Sequence, residues 1–249
     1  MPAPNFKSNG PFSSGTTSVS LNMGAPLSYT TSDILVCVIE SANQYLAQAA
    51  TNLTNNGWAR VANSNTMLGT AAAANATYQD IWWQRPTTTS QTAVVLGDYG
   101  DHTLAVVASF ANCVTTGSPW DTGTAAGINV AVTVATAQVN SYAVTTATAN
   151  TLVLTVINSP QDIAAGRINA SPLLLVGGSG GDTELTERFD LGTTSGGGGT
   201  IALLSHRKPT AGTTANVRAN TTVANTAILW TGALIGTADA FPYSFSVFT

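Results

Sequence analysis

Ile128-Asn129-Val130-Ala131-Val132-Thr133-Val134 sets a branched apolar side chain at every second position, with small or polar residues between. Successive side chains of an extended chain point to opposite sides, so this two-residue beat predicts a strand with one buried face. The beat returns upstream in Leu104, Val106, Ala108 and Phe110, and downstream in Leu152, Leu154 and Val156. Ile34–Ile39 is a continuous apolar run, Tyr78–Gln84 is aromatic, and Thr92–Leu96 is β-branched. Further strands are expected at Val19 and Leu21, Leu173–Val176, Ile201–His206, Val217–Val223 and Ala227–Ile235. Turn-forming residues separate them with no alternation of strand and helix, which predicts an all-β, antiparallel β-sandwich.

Helical spacing is confined to Ala42, Tyr45, Leu46, Ala49 and Leu53, with Ser41 as a cap and Asn55-Asn56-Gly57 as a stop. At most one short helix is therefore expected. The glycine tracts Gly177–Gly181 and Gly196–Gly199 read as flexible connections, because ordering glycine in a strand costs the most backbone entropy.

The strand pattern is duplicated. Arg85-Pro86-Thr87 recurs as Lys208-Pro209-Thr210 at an offset of 123, which also lays His102–Val107 over Asn225–Trp230. Asp33–Val36 matches Asn150–Val153 at an offset of 117, so one loop differs slightly in length. These matches divide a sandwich over 16–236 into pseudo-repeats of about 16–125 and 126–236. An extended arm is expected over 1–15, and a strand or arm over 237–249.

Of the 249 residues only 8 % are charged, against about 25 % in an ordinary soluble domain, while 44 % are hydrophobic. Such a chain buries enough apolar surface to fold, and its surface is polar but nearly uncharged. A net charge of -4 with eight Lys and Arg in no cluster gives no footprint for a phosphate backbone, so nucleic acid is excluded as a partner. No apolar run reaches 18 residues and none follows Lys7, so neither a membrane span nor a leader is expected. Cys37 and Cys113 lie in apolar strands and read as buried free thiols.

Gly177-Gly178-Ser179-Gly180-Gly181 fits the nucleophile-elbow pattern, and Asp190 and His206 follow in hydrolase order. The elbow needs a strand turning into a helix, whereas Asp182–Glu187 has no helical pattern, so no catalytic residue is expected. Asp98, Asp101 and His102 form a compact group that is the weak candidate for a metal, although Asp and Gly belong in such a turn anyway. No cofactor is expected. Glu184, Glu187 and Asp190 read as solubilising charges. The sequons at Asn52, Asn75, Asn169 and Asn220 reflect Asn and Thr richness.

Trp82 and Trp83 must point to opposite faces of one strand, so one belongs to the core and the other, Trp83, is a contact candidate together with Trp120. Phe241, Tyr243 and Phe245 share one face of the last nine residues and form a third contact candidate.

Three segments carry a family resemblance: Asp33-Ile34-Leu35-Val36, Asn56-Gly57-Trp58-Ala59-Arg60-Val61 and Ile81-Trp82-Trp83-Gln84-Arg85-Pro86. With Leu104–Phe110 and Ser118-Pro119-Trp120-Asp121 they resemble phage virion structural proteins, the jelly-roll-like minor tail and head-decoration proteins, over roughly residues 16 to 236. The resemblance implies a non-enzymatic jelly-roll-type subunit in the virion, assembled in the host cytoplasm. Its partners would be major capsid or tail proteins and copies of itself, as in a trimer. The alternative is a carbohydrate-binding or receptor-binding module of a phage appendage, with a host surface glycan as ligand.

Overall fold

A computed structural model of the chain describes residues 2–42, 47–69, 76–97, 102–121, 127–132, 138–160, 168–195, 198–221 and 226–237. The first half contains β1 (Asn5–Asn9), β2 (Ser13–Gly15), β3 (Val19–Ser20), β4 (Ile34–Ala42) and the helix α1 (Ala47–Asn55). After the helix come β5 (Ala59–Arg60), β6 (Thr66–Leu68), β7 (Thr77–Gln84), β8 (Val95–Gly97) and β9 (Thr103–Ala111). The second half opens with β10 (Gly127–Val132), β11 (Gln138–Asn140), β12 (Thr145–Thr146), β13 (Thr151–Ser159) and β14 (Ile168–Val176). It ends with β15 (Thr183–Thr193), β16 (Gly199–Lys208), β17 (Gly212–Thr213), β18 (Asn216–Thr221) and β19 (Thr226–Leu234).

Two antiparallel sheets face each other. One runs β1-β9-β4-β7-β5, with β2 also on β9 and β6 on β7; the other runs β10-β19-β13-β16-β15. The all-β antiparallel sandwich expected from the strand periodicity is the fold observed, with α1 as the helix among the described residues. Ile34, Val36, Val38, Ile81, Val106 and Phe110 from the first sheet meet Leu152, Leu154, Val156, Leu203 and Trp230 from the second in one buried layer. Each such side chain contributes roughly 1.5–3 kcal/mol by leaving water.

Continuous apolar runs such as Ile34–Ile39 arise because each sheet is covered on both faces. Behind the first sheet, Leu35, Cys37, Ile39 and Trp82 pack under α1, β8 and the Leu21–Tyr29 segment. Behind the second, Ile157, Leu204 and Leu229 pack under a three-stranded sheet, β11-β18-β14. An antiparallel sheet with one wet face would show alternation instead.

The central strands of the two sheets pair in the same arrangement, in a register that differs from the sequence offsets. Val38 pairs with Ile81 on one side and Val106 on the other; Val156 pairs with Leu203 and Trp230 in the same arrangement. Both triads face the common layer, so the equivalences run Val38 to Val156, Ile81 to Leu203 and Val106 to Trp230. The odd offsets read from sequence instead match Leu35, on the outer face, to Leu152, on the inner face. A slip of one residue exchanges the two faces of a strand, and low-complexity Thr/Ala/Val segments align nearly as well either way.

Two further differences concern the ends of elements. Residues 5–15, expected as an extended arm, include β1 and β2, which complete the first sheet along β9; Phe6 stacks edge-on against Phe110 at 5.8 Å. Residues 183–193, where no strand was expected, form β15, the outer strand paired to β16, on which Glu184 is exposed.

Candidate functional site

Alternation along β7 sends Trp82 into the layer behind the first sheet, where it is 3 % exposed, and leaves Trp83 half-buried against the central layer. Beside them, Arg60 donates from Nε and Nη2 to the buried Asp80 carboxylate at 2.9–3.2 Å, and its guanidinium lies 4.7 Å from the Trp82 ring centre. Burial pushes the Asp80 carboxyl up, and the Arg60 hydrogen bonds oppose that. The cation is thus neutralised locally.

The segment after β9 brings the second indole. Trp120 bridges Leu234 in antiparallel fashion, Asp121 N donates to Ala233 O at 2.9 Å, and the Trp120 ring meets Trp230 edge-on at 5.4 Å and 88°. Asp121 is itself buried and accepts from the backbone N–H groups of Ala147 and Thr148 at 2.8 and 2.9 Å. Trp83, Trp120 and Trp230 together line a cleft of about 360 Å³, rimmed by Arg60, Ser118 and Asp121. That volume lies within the ~300–1,000 Å³ range of ligand clefts. A groove of about 490 Å³ between Leu21 and Gln91 has neither aromatic nor titratable lining.

The structure therefore joins Trp83 to Trp120, two contact candidates 37 positions apart in sequence. It also adds Trp230, which sequence reading placed only as a strand residue. Its signal was present: Gly232, two positions on and on the same face, lies under the Trp230 ring, and any side chain there would overlap the indole. Phe241, Tyr243 and Phe245, and the metal candidates Asp98 and Asp101, lie outside the described residues.

His102 is described, and it is 1 % exposed. Its Nε2 sits 2.7 Å from Glu40 Oε2, and Thr77 Oγ1 donates to the other Glu40 oxygen at 2.6 Å. Burial pushes the Glu40 carboxyl up, opposed by His102 and Thr77. Gly199 of the opposite sheet packs directly on this pair. Among the described residues no three His, Cys, Asp or Glu side chains group as metal ligands.

The hydrolase order does not assemble as a triad of Ser179, His206 and Asp190. Asp190 pairs with Ala202 on β16, four residues from His206 along that strand, and the carboxylate beside His206 is Asp182, with Nε2 and Oδ1 3.0 Å apart. The Ser179 hydroxyl donates to Thr213 O at 2.9 Å and accepts from the Lys208 ammonium at 3.0 Å. Lys208, fully buried, also donates to Gly180 O and Asp182 Oδ2 at 2.9 and 3.1 Å. The glycine tract at 177–181, expected as a flexible connection, is thus pinned by a buried cation. Gly178, at φ +87°, lies so close to Ala215 that a side chain would strike its backbone.

Cys37 and Cys113 are buried free thiols, and burial pushes Cys113 up to about 12. Compared with protein-family models, curated proteins and solved structures, the chain finds no match in any of the three.

Proposed function

We propose that this chain is a structural subunit of a bacteriophage particle, either a capsid decoration or cement protein or a tail-associated component. It makes symmetric contacts with major capsid or tail proteins and with its own copies, as in a trimer, and it acts in the virion after assembly in the host cytoplasm. The observation that carries this reading is where the family-like motifs fall. Asp33–Val36 leads into β4, Gly57-Trp58 leads into β5, and Trp82-Trp83 closes β7; these three strands are neighbours in one sheet. Trp82 pairs with Cys37 on one side and Arg60 on the other. Motifs that specify strand packing support a scaffold more than a reaction.

A chain of which only 8 % of the residues are charged adds to the case, because contacts made without charge pairs change little as salt changes. The test is an antibody against the purified chain, used on particles of the phage that encodes it. Several copies per particle, seen by quantitative blotting and immunogold labelling, are the expected result. Presence in the lysate with absence from purified particles overturns the reading.

A second reading, recognition of a host surface glycan by a phage appendage, is favoured by the convergence of Trp83 and Trp120 on one cleft. Binding on a glycan array that is lost in Trp83→Ala is its expected signature.

A further inference from the structure

We infer that the Trp83–Trp120–Trp230 cleft is a socket for the C-terminal segment of a second copy of this chain, with Phe241, Tyr243 or Phe245 as the inserted side chain. The inference deepens the reading of a self-associating subunit by naming both halves of the contact.

The first ground is chemical match. The cleft offers indole surface, and its rim charges are already engaged, Arg60 with Asp80 and Asp121 with the amides of Ala147 and Thr148. It therefore selects an uncharged aromatic group over an ionic one, and an aromatic side chain buries about 150–250 Å² on entry. Residues 238–249 contain Phe241, Tyr243, Phe245 and Phe248 but a single charge, Asp239.

The second ground is where the described chain ends. Gly232 and Ala233 line the cleft, and the chain then continues alongside the segment that carries Trp120: Ile235 N donates to Pro119 O at 2.8 Å and Thr237 N to Asn112 O at 2.8 Å. The described residues end at Thr237, and twelve residues, 238–249, follow it. Twelve residues span up to ~40 Å when extended, enough to reach the same cleft on a neighbour. A tail-into-socket contact is heterologous, and it closes into a ring such as a trimer when the rotation between copies permits.

The test uses full-length chains and sedimentation equilibrium. Wild type is expected to be an oligomer at about 100 µM, whereas the triple variant Phe241→Ser, Tyr243→Ser, Phe245→Ser is expected to dissociate at least ~100-fold more readily. Trp83→Ala should weaken association at least ~10-fold, and Ser118→Trp, which fills the exposed rim and removes nothing from the core, should do the same. Circular dichroism confirms that each variant is folded. The decisive arm mixes the tail variant, whose cleft is intact, with Ser118→Trp, whose tail is intact; hetero-association restored on mixing is expected. A monomeric wild type, a tail variant that keeps its oligomeric mass, or a mixture that stays dissociated each overturns the inference. So does a monomer that binds glycan through the cleft. No particle enters this experiment, so its failure and that of the virion reading are separable.

Discussion

The two halves of the molecule share a centre and differ at one strand. In the first, β9 presents Val106 and Ala108 to the common layer; at the matching positions of the second, β19 presents Trp230 and Gly232. A large ring over a residue without a side chain replaces two medium ones, and the volume moves along the strand toward Trp120. Strands in matching positions can thus keep their register while a paired large-for-small exchange brings an indole to the cleft. The outer coverings differ as well, a helix and short strands behind one sheet and a separate three-stranded sheet behind the other.

The most direct way to break this comparison is Trp230→Ala, which removes the residue that sets the halves apart. Loss of a fully buried indole is expected to cost about 3–5 kcal/mol in urea unfolding. A cost below about 1 kcal/mol would mean that the ring is not part of the central layer.

Next is Lys208→Met. The ammonium of Lys208 holds Ser179, Gly180 and Asp182 together, and its removal leaves the Asp182 carboxylate, 4 % exposed, without its lysine. A loss of about 3 kcal/mol is expected, with faster hydrogen exchange confined to residues 177–182. Uniform exchange across both sheets would instead mark Lys208 as a general core residue.

Those two sites also show what the sequence made legible. Fold class followed from period-two alternation in β9, β10 and β13, because a buried strand face leaves a pattern that composition cannot hide. Strand β15 was missed for a physical reason: Leu185 packs behind its sheet while Phe189 packs in front, and a register shift between Glu187 and Phe189 changes the face midway. A bulge erases periodicity across itself. In the candidate site, Trp83 and Trp120 were legible singly from amphipathic character and strand alternation. Their meeting depends on the Trp120–Leu234 pairing, a long-range contact with no local signature. Lys208 was legible as half of a repeat, but its role as a pin depends on a loop that only the fold brings beneath it.

A more modest pair sharpens the comparison at its centre. Val38 and Val156 occupy matching positions in the central strands, and both are fully buried. Val38→Ala and Val156→Ala should each cost roughly 2 kcal/mol, equal within error, with one cooperative transition in both cases. Separate transitions for the two halves in calorimetry would show that they fold as independent units, not around a single layer.

The smallest expected effect concerns pH and belongs to the second half alone. Burial raises the Asp182 carboxyl, but His206, Lys208 and the Ala215 N–H outweigh it and hold the group below its usual value. A carboxyl lowered by folding stabilises the native state fully above its ordinary pKa, about 4, and this stabilisation fades as pH falls through the lower native value. The unfolded chain binds more protons in that window, so stability must rise with pH across it. Asp182→Asn should therefore flatten the acid limb of the urea midpoint measured between pH 2 and 6, and Asp80→Asn, whose native carboxyl is raised, should not. Parallel curves for wild type and Asp182→Asn would show that the carboxylate is not held by its cationic neighbours.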